Sequence, residues 1–257
     1  MRAEASVGSS LAVQMKRFCS AAEALRRQDY FQDSPFDPGQ PALLIWQSPR
    51  ALLASPEDAR LPDFETVAQG SAEAGWPVAI RRGGGRLCPV SPGTLQFAIS
   101  RPVSAGVTIE TGYDEMAALL EGLLARFQLP VARGLCRGAF CPGRYDLAGA
   151  GRKVAGLAQA WRLHQGQRIV ITGASLIVDE EAAGLADAVN RFYNAFQAAP
   201  ACRPNAIGSL SQMADHPISV EDVMGVLGTM LWNDGAPPRA THRPIWMQAA
   251  DPDTRFY

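Results

Sequence analysis

Apolar positions recur along the chain at two different spacings, one suited to helices and one to buried strands. Residues Leu11–Arg27 predict a first helix, with good helix formers at Ala21, Ala22, Ala24 and Leu25. The breakers of Asp33-Ser34-Pro35-Phe36-Asp37-Pro38-Gly39 predict a loop after it. Short apolar runs predict strands over Ala42–Trp46, Pro77–Ile80 and Leu95–Ser100, and Phe64–Ala74 predicts the helix that leads into the second of these. Met116, Leu119, Leu120, Leu123 and Leu124 fall on one side of a long helix over Tyr113–Phe127, a stripe that reads as core. Gly134–Pro142 is loop-like. Strands follow over Arg144–Leu147, Lys153–Trp161 and Arg168–Val178, the last two joined as a hairpin by His164-Gln165-Gly166.

Two helices, Glu181–Ala198 and Ser219–Leu231, are predicted to close the pattern, the second opening on a capping box of Ser219 and Asp222. Beyond Asn233 the proline-bearing stretch to Tyr257 reads as an extended wrap or a loose end. Hairpins and helices that do not strictly alternate predict an α+β fold, with a mixed, largely antiparallel sheet flanked by helices.

Composition narrows the function classes. At 257 residues and 47% hydrophobic, the chain is long enough to bury a sizeable core as one large domain or as one domain plus a small appendage. A formal net charge of -1 provides no global positive field, which disfavours a nucleic-acid or membrane-surface role. There is no apolar run of membrane-spanning length, and Met1–Ser6 lacks the apolar segment of a secretory signal, so a cytoplasmic protein is expected. Cys19, Cys88, Cys136, Cys141 and Cys202 match neither a disulfide framework nor paired zinc-ligand spacing and read as reduced thiols. His164, His216 and His242 fall in no recognised motif.

Of the 24 basic side chains only Lys16 and Lys153 are lysines. A compact ammonium can approach one reacting oxygen and change its protonation state, which a guanidinium does not do. Lys16 sits near a chain end and is read as chance. Lys153 lies in Ala148-Gly149-Ala150-Gly151-Arg152-Lys153-Val154-Ala155-Gly156-Leu157-Ala158-Gln159, where small neighbours let another chain of atoms come close. An ammonium there can polarise an acyl carbonyl and hold the charge that develops in acyl transfer. Arg81-Arg82-Gly83-Gly84-Gly85-Arg86 is a plausible cradle for a carboxylate or phosphate, or else a glycine-rich turn with solvated arginines. Asp146 is read as an anchor for a metal–phosphate or an attacking amine, or as a turn cap. Cys141, in a loop near Arg144 and Lys153, is a candidate nucleophile or an inert thiol, with Cys136 as the other loop cysteine.

The succession Arg81-Arg82-Gly83-Gly84-Gly85, then Tyr145-Asp146-Leu147, then Gly151-Arg152-Lys153-Val154-Ala155-Gly156-Leu157-Ala158-Gln159 resembles the lipoate-protein ligase and octanoyl/lipoyl transferase superfamily, whose catalytic domain is related to biotin-protein ligase. The resemblance implies a catalytic domain over residues 1–233 and a C-terminal extension over 234–257. It also implies an acyl tunnel beside the glycine loop and Lys153 in contact with the acyl carbonyl. Arg81, Arg82, Gly83, Gly84, Gly85, Tyr145, Asp146, Gly156 and Ser175 are the implied substrate-binding residues.

In the ligase branch, which is the leading expectation, ATP and magnesium activate lipoate as an adenylate before a lipoyl-domain lysine attacks, with Asp146 near the metal. In the transferase branch a cysteine, here Cys141, takes the acyl group from a carrier protein and neither ATP nor metal is needed. Lipoate or octanoate is the implied substrate. A lipoyl carrier domain or glycine-cleavage H-like protein is the implied partner, with an acyl carrier protein and an accessory subunit as further partners. Three segments depart from the family pattern. Leu87-Cys88-Pro89-Val90 stands where a histidine is common, and Thr172-Gly173-Ala174-Ser175 where His-Gly-Ser is frequent. Leu53–Asp58 replaces a Gly-Arg-x-x-Gln/Asn segment. These departures leave a third reading, a non-catalytic acyl- or partner-binding paralogue.

Overall fold

The computed structural model describes residues 11–29, 41–104, 106–164, 166–197 and 202–233. The predicted loop Asp33–Gly39 and the stretch beyond Asn233 lie outside the described residues. In chain order the strands are β1 (Ala12–Arg17), β2 (Ala42–Gln47), β3 (Ala51–Ala54), β4 (Val78–Ile80), β5 (Cys88–Val90), β6 (Thr94–Pro102), β7 (Ala132–Arg133), β8 (Leu147–Gly149), β9 (Arg152–His164) and β10 (Gln167–Ile177). The helices are α1 (Ala21–Asp29), α2 (Phe64–Glu73), α3 (Ile109–Arg126), α4 (Ala182–Asn194), α5 (Leu210–Met213) and α6 (Val220–Asn233).

A seven-stranded sheet runs in the order β1-β2-β6-β10-β9-β8-β7, and a three-stranded sheet in the order β4-β3-β5. Within the large sheet only β1 and β2 are parallel. The expected α+β architecture with a mixed, largely antiparallel sheet is what the chain forms. No helix among the described residues is long and apolar enough to cross a membrane.

One side of the large sheet packs on α3 and α6, where Met116, Leu120, Leu123, Val223 and Leu227 meet Leu95, Phe97, Ile99 and Leu176. Helix α3 starts at Ile109, four residues before the predicted start at Tyr113, because Thr108 and Thr111 exchange side-chain and backbone hydrogen bonds as a capping box. The other side of the sheet carries α1, the small sheet and α4, and the candidate site lies on this side.

Two expectations are corrected. Leu11–Arg27 is not one helix, because residues 12–17 pair in parallel register with β2, from Ala12 opposite Ala42 to Arg17 opposite Gln47. Helix propensity is a weak preference, and burying Ala12 and Met15 against the sheet outweighs it. Arg144–Leu147 is not a strand: residues 144–146 form a turn in which Asp146 accepts the Gly143 N–H at 2.9 Å and returns its own N–H to Gly143 O. Strands β3, β5 and β7 have no counterpart in the sequence reading, being too short to carry a period.

The segment Leu53–Asp58 acquires a structural explanation. Asp58 is fully buried, accepts from the Ser55 N–H and hydroxyl, and accepts the Tyr193 hydroxyl at 2.8 Å. The same hydroxyl accepts the Leu87 N–H at 2.9 Å, so α4 ties the turn after β3 to the end of the glycine loop. Burial raises the Tyr193 phenol well above its ordinary range. Tyr193→Phe leaves a buried N–H and a carboxylate oxygen without this partner, and is expected to cost about 1–3 kcal/mol in urea unfolding. An unchanged midpoint would show that the bridge contributes nothing.

Candidate active site

Lys153 and Gly156 are three residues apart on β9, a spacing that places side chains on opposite faces of a regular strand. Here Ala148 pairs with Lys153 and Leu147 with Ala155, so Val154 is an extra residue on β9. This β-bulge re-aims Lys153. Its Nζ then lies against Gly156, where an added Cβ would come within 2.7 Å of it. Gly156 is therefore a matter of space and not of backbone freedom.

Lys153 is 1% exposed. Its Nζ donates to Phe140 O at 3.0 Å and Cys141 O at 2.8 Å, and lies 3.0 Å from Asp146 Oδ1. An ammonium has three donors, and three acceptors face this one. Asp146 is equally buried, and its second oxygen takes the Gly143 N–H. Burial raises the Asp146 pKa, against which the Lys153 charge acts. The pair thus places the Lys153 ammonium at the cavity wall with its counter-charge beside it, both fixed by the loop of residues 136–146.

The glycine loop is folded around its own arginine. Arg81 is 8% exposed and donates to Gly84 O and, at 2.8 Å, to Arg86 O. A Cβ on Gly83 would meet Arg81 Nη1 at 2.9 Å, and a Cβ on Gly85, whose φ is +96°, would meet Cys141 Sγ at 2.7 Å. The loop thereby accommodates both a guanidinium and a thiol. Arg82 points outward to Asp29 on α1, with Nε 2.7 Å from Oδ2, and fastens the loop to that helix.

Cys141 Sγ accepts the Arg86 N–H at 3.1 Å and has Arg81 Nη2 at 3.9 Å. Burial pushes the other nearby thiols up: Cys88 against the opposing charge of Arg81, Cys136 beside the Asp146 charge, and Cys202 to about 11. Cys136 donates to Gly134 O at 3.8 Å and is 8% exposed. Among the described residues no group of three or more His, Cys, Asp and Glu side chains is arranged to hold a metal ion.

These groups surround one cavity. Arg81, Arg82, Gly83, Cys141, Lys153, Gly156 and Ser175 line it, whereas Gly84, Gly85, Tyr145 and Asp146 do not. Asp146 stands behind Lys153. Tyr145 stacks on Tyr113 of α3, with ring centroids 4.3 Å apart and 5° between planes, bracing the loop that bears Cys141. Burial raises the Tyr113 phenol.

The lipoyl protein ligase A/B catalytic domain family model matches residues 20–231. The chain belongs to this family. It is accordingly an enzyme of the lipoate-ligase and lipoyl/octanoyl-transferase class. An octanoyl-[GcvH]:protein N-octanoyltransferase of Bacillus velezensis is 31% identical over 196 residues, covering 72% of this chain and 67% of that protein. A lipoyl-[GcvH]:protein N-lipoyltransferase of Listeria monocytogenes is 26% identical, covering 70% of this chain and 66% of that protein. A lipoate-protein ligase A solved with ATP has the same fold at a TM-score of 0.65 and 16% identity, covering 87% of this chain and 85% of that one. A putative lipoate protein ligase from T. acidophilum, solved with lipoic acid, also gives a TM-score of 0.65 at 16% identity, covering 86% of each chain.

Several cavity residues of this family member are not among the site residues that the sequence implied. Leu25 and Gln28 come from α1, and Trp46 from β2 donates to Gln28 Oε1 at 3.1 Å. Gln96, Cys88 and Phe140 contribute from three further segments. The signal that could have found part of the floor is the small-residue alternation Gly156, Ala158, Ala160 on β9, because every second residue of a strand shares a face. Residues brought by α1 and the small sheet carry no such signal.

Proposed function

We propose that this enzyme moves an octanoyl or lipoyl group from a lysine of a GcvH-type carrier to a lysine of a lipoyl domain, through a thioester on Cys141 and without ATP. The observation that carries the reading is the position of Cys141: its sulfur accepts the Arg86 N–H at 3.1 Å, and it lines the same cavity as Lys153. The names of the Bacillus and Listeria relatives support the same donor and the same kind of transfer.

In this reading the Cys141 thiolate attacks the carbonyl carbon of the acyl-lysine amide. The C–S bond forms, the carbonyl electron pair moves to oxygen, and Lys153 compensates that charge, the oxygen competing with Phe140 O or Cys141 O for one N–H. The C–N bond then breaks, and the departing amine keeps a proton equivalent to the one the thiol lost. The acceptor lysine, as a free amine, attacks the thioester; the C–N bond forms, the C–S bond breaks, and the proton the nitrogen gives up as the amide forms balances the one lost by the thiol, which restores the enzyme. Arg81 and the Arg86 N–H offset the negative charge on sulfur at both ends of the cycle.

The adenylate route would give Asp146 a metal–phosphate to hold. Against that role, its carboxylate is 1% exposed and engaged by Lys153 and the Gly143 N–H. Residues 1–233 are taken as the catalytic unit and 234–257 as an extension.

The test is incubation with octanoyl-GcvH and an apo lipoyl domain, without nucleotide, followed by intact mass spectrometry. An octanoyl adduct on the enzyme and transfer to the acceptor are expected, with both lost in Cys141→Ser. Transfer that requires free acid, ATP and magnesium, or full activity in Cys141→Ser, would exclude the thioester.

A further inference from the structure

The cavity floor is a patch of the large sheet whose rows follow from strand register. Gln96, Ser175 and Gly156 form one row, Ala98, Gly173 and Ala158 the next, and Ser100, Ile171 and Ala160 the third; of these, all but Ala98 and Ser100 line the cavity. The first row adjoins Lys153 through Gly156. Four strand residues separate it from the third row, about 13 Å at the usual rise, which is room for an extended medium-length acyl chain.

Gly173 is unlike the other glycines of this wall. Side chains fill the space over Gly156 and Gly83, namely Lys153 and Arg81. A Cβ on Gly173 would meet only Phe97 O at 3.5 Å and Ala158 O at 3.8 Å, ordinary contacts with the backbone of its own sheet. The volume above the middle row is therefore bounded by the protein without being occupied by it. One row nearer the reacting end, Ser175 is 7% exposed, and its hydroxyl has no hydrogen-bond partner although the Cys88 thiol lies beside it. A buried hydroxyl without a partner, lining the cavity, is a group that a ligand oxygen or sulfur would satisfy.

We propose that Gly173 determines which acyl groups the enzyme accepts. The acyl chain starts at Lys153, runs along β10 over Gly173, and ends against Ile171, so the absent side chain at 173 is what admits a straight chain of medium length. This inference rests on the acyl-transfer reading above.

Wild type, Gly173→Ala and Gly173→Val are to be assayed with GcvH loaded with octanoyl or butyryl on its lysine, reading kcat/KM for each donor. The octanoyl-to-butyryl ratio is expected to fall about 10- to 200-fold in Gly173→Val, the penalty range for misfit of a methylene or so, and less in Gly173→Ala. A ratio unchanged from wild type overturns the inference, and if Gly173→Val does not fold, the ratio in Gly173→Ala decides. Failure of wild type to transfer from either donor counts against the reaction and not against the pocket. Calorimetry with free octanoate and butyrate then reads the pocket directly: octanoate should bind Gly173→Ala more weakly than wild type, with butyrate little changed. Equal octanoate affinity would overturn the assignment.

Discussion

Lys153→Met is expected to abolish acyl transfer and to destabilise the fold by about 3–5 kcal/mol at neutral pH, because it leaves the Asp146 carboxylate buried without its counter-charge. Burial already raises Asp146 in the wild type, and removing the ammonium lets the pKa rise further. A carboxyl whose folded pKa exceeds its unfolded value favours the fold most below the unfolded pKa, and that contribution is lost as pH rises through the folded one. The deficit of Lys153→Met relative to wild type should therefore shrink toward acid pH, which chemical denaturation across a pH series would read.

The double variant Lys153→Met/Asp146→Asn separates the two roles of the lysine. It removes both buried charges and should recover most of the stability while remaining inactive. Activity in the double variant would show that the ammonium serves the fold alone. Lys153→Arg keeps the charge, but the wider guanidinium has no room against Gly156 and cannot reproduce one compact head among three acceptors. A loss of about 10²–10³ in kcat is expected there, the range for removing one donor that faces a developing oxyanion.

Gly156→Ala is expected to lower kcat/KM by about 100-fold with the fold retained. The new methyl would stand 2.7 Å from both Cε and Nζ of Lys153, and the ammonium cannot step aside without leaving Phe140 O, Cys141 O or Asp146. Displacing a reacting group by about 1 Å costs on that order, and forcing a methyl into a packed site costs about 1–3 kcal/mol of stability. Steady-state kinetics together with thermal unfolding would test both numbers. Wild-type kcat/KM would mean that Lys153 is not held where the acyl carbonyl sits.

Much of this arrangement is legible along the chain. The apolar stripe of α3, the strands around Ala42–Trp46, Leu95–Ser100, Lys153–Trp161 and Arg168–Val178, and the capping pair Ser219 and Asp222 follow from spacing alone. Those patterns are local, so they survive without knowledge of what packs against them. The stretch 12–17 misleads because its helix-compatible residues are claimed by a parallel partner thirty positions away. The short strands β3, β5 and β7 are equally hidden, since their pairing partners define them.

The site divides along the same line. Scarcity of lysine, the small residues around Lys153 and the glycine loop single out segments that meet at one cavity, because those features reflect the chemistry and backbone freedom of each residue. That Lys153 shares a face with Gly156 depends on one extra residue in the pairing of β8 with β9, which no spacing rule reveals. The partnering of Lys153 with Asp146, and the meeting of Cys141 with the Arg81 loop across sixty residues, likewise exist only once the loop of residues 136–146 packs over the bulge. Periodicity encodes which residues are buried; which buried charges neutralise each other is decided by packing between distant segments, where an unpaired ammonium or carboxylate would be too costly to keep.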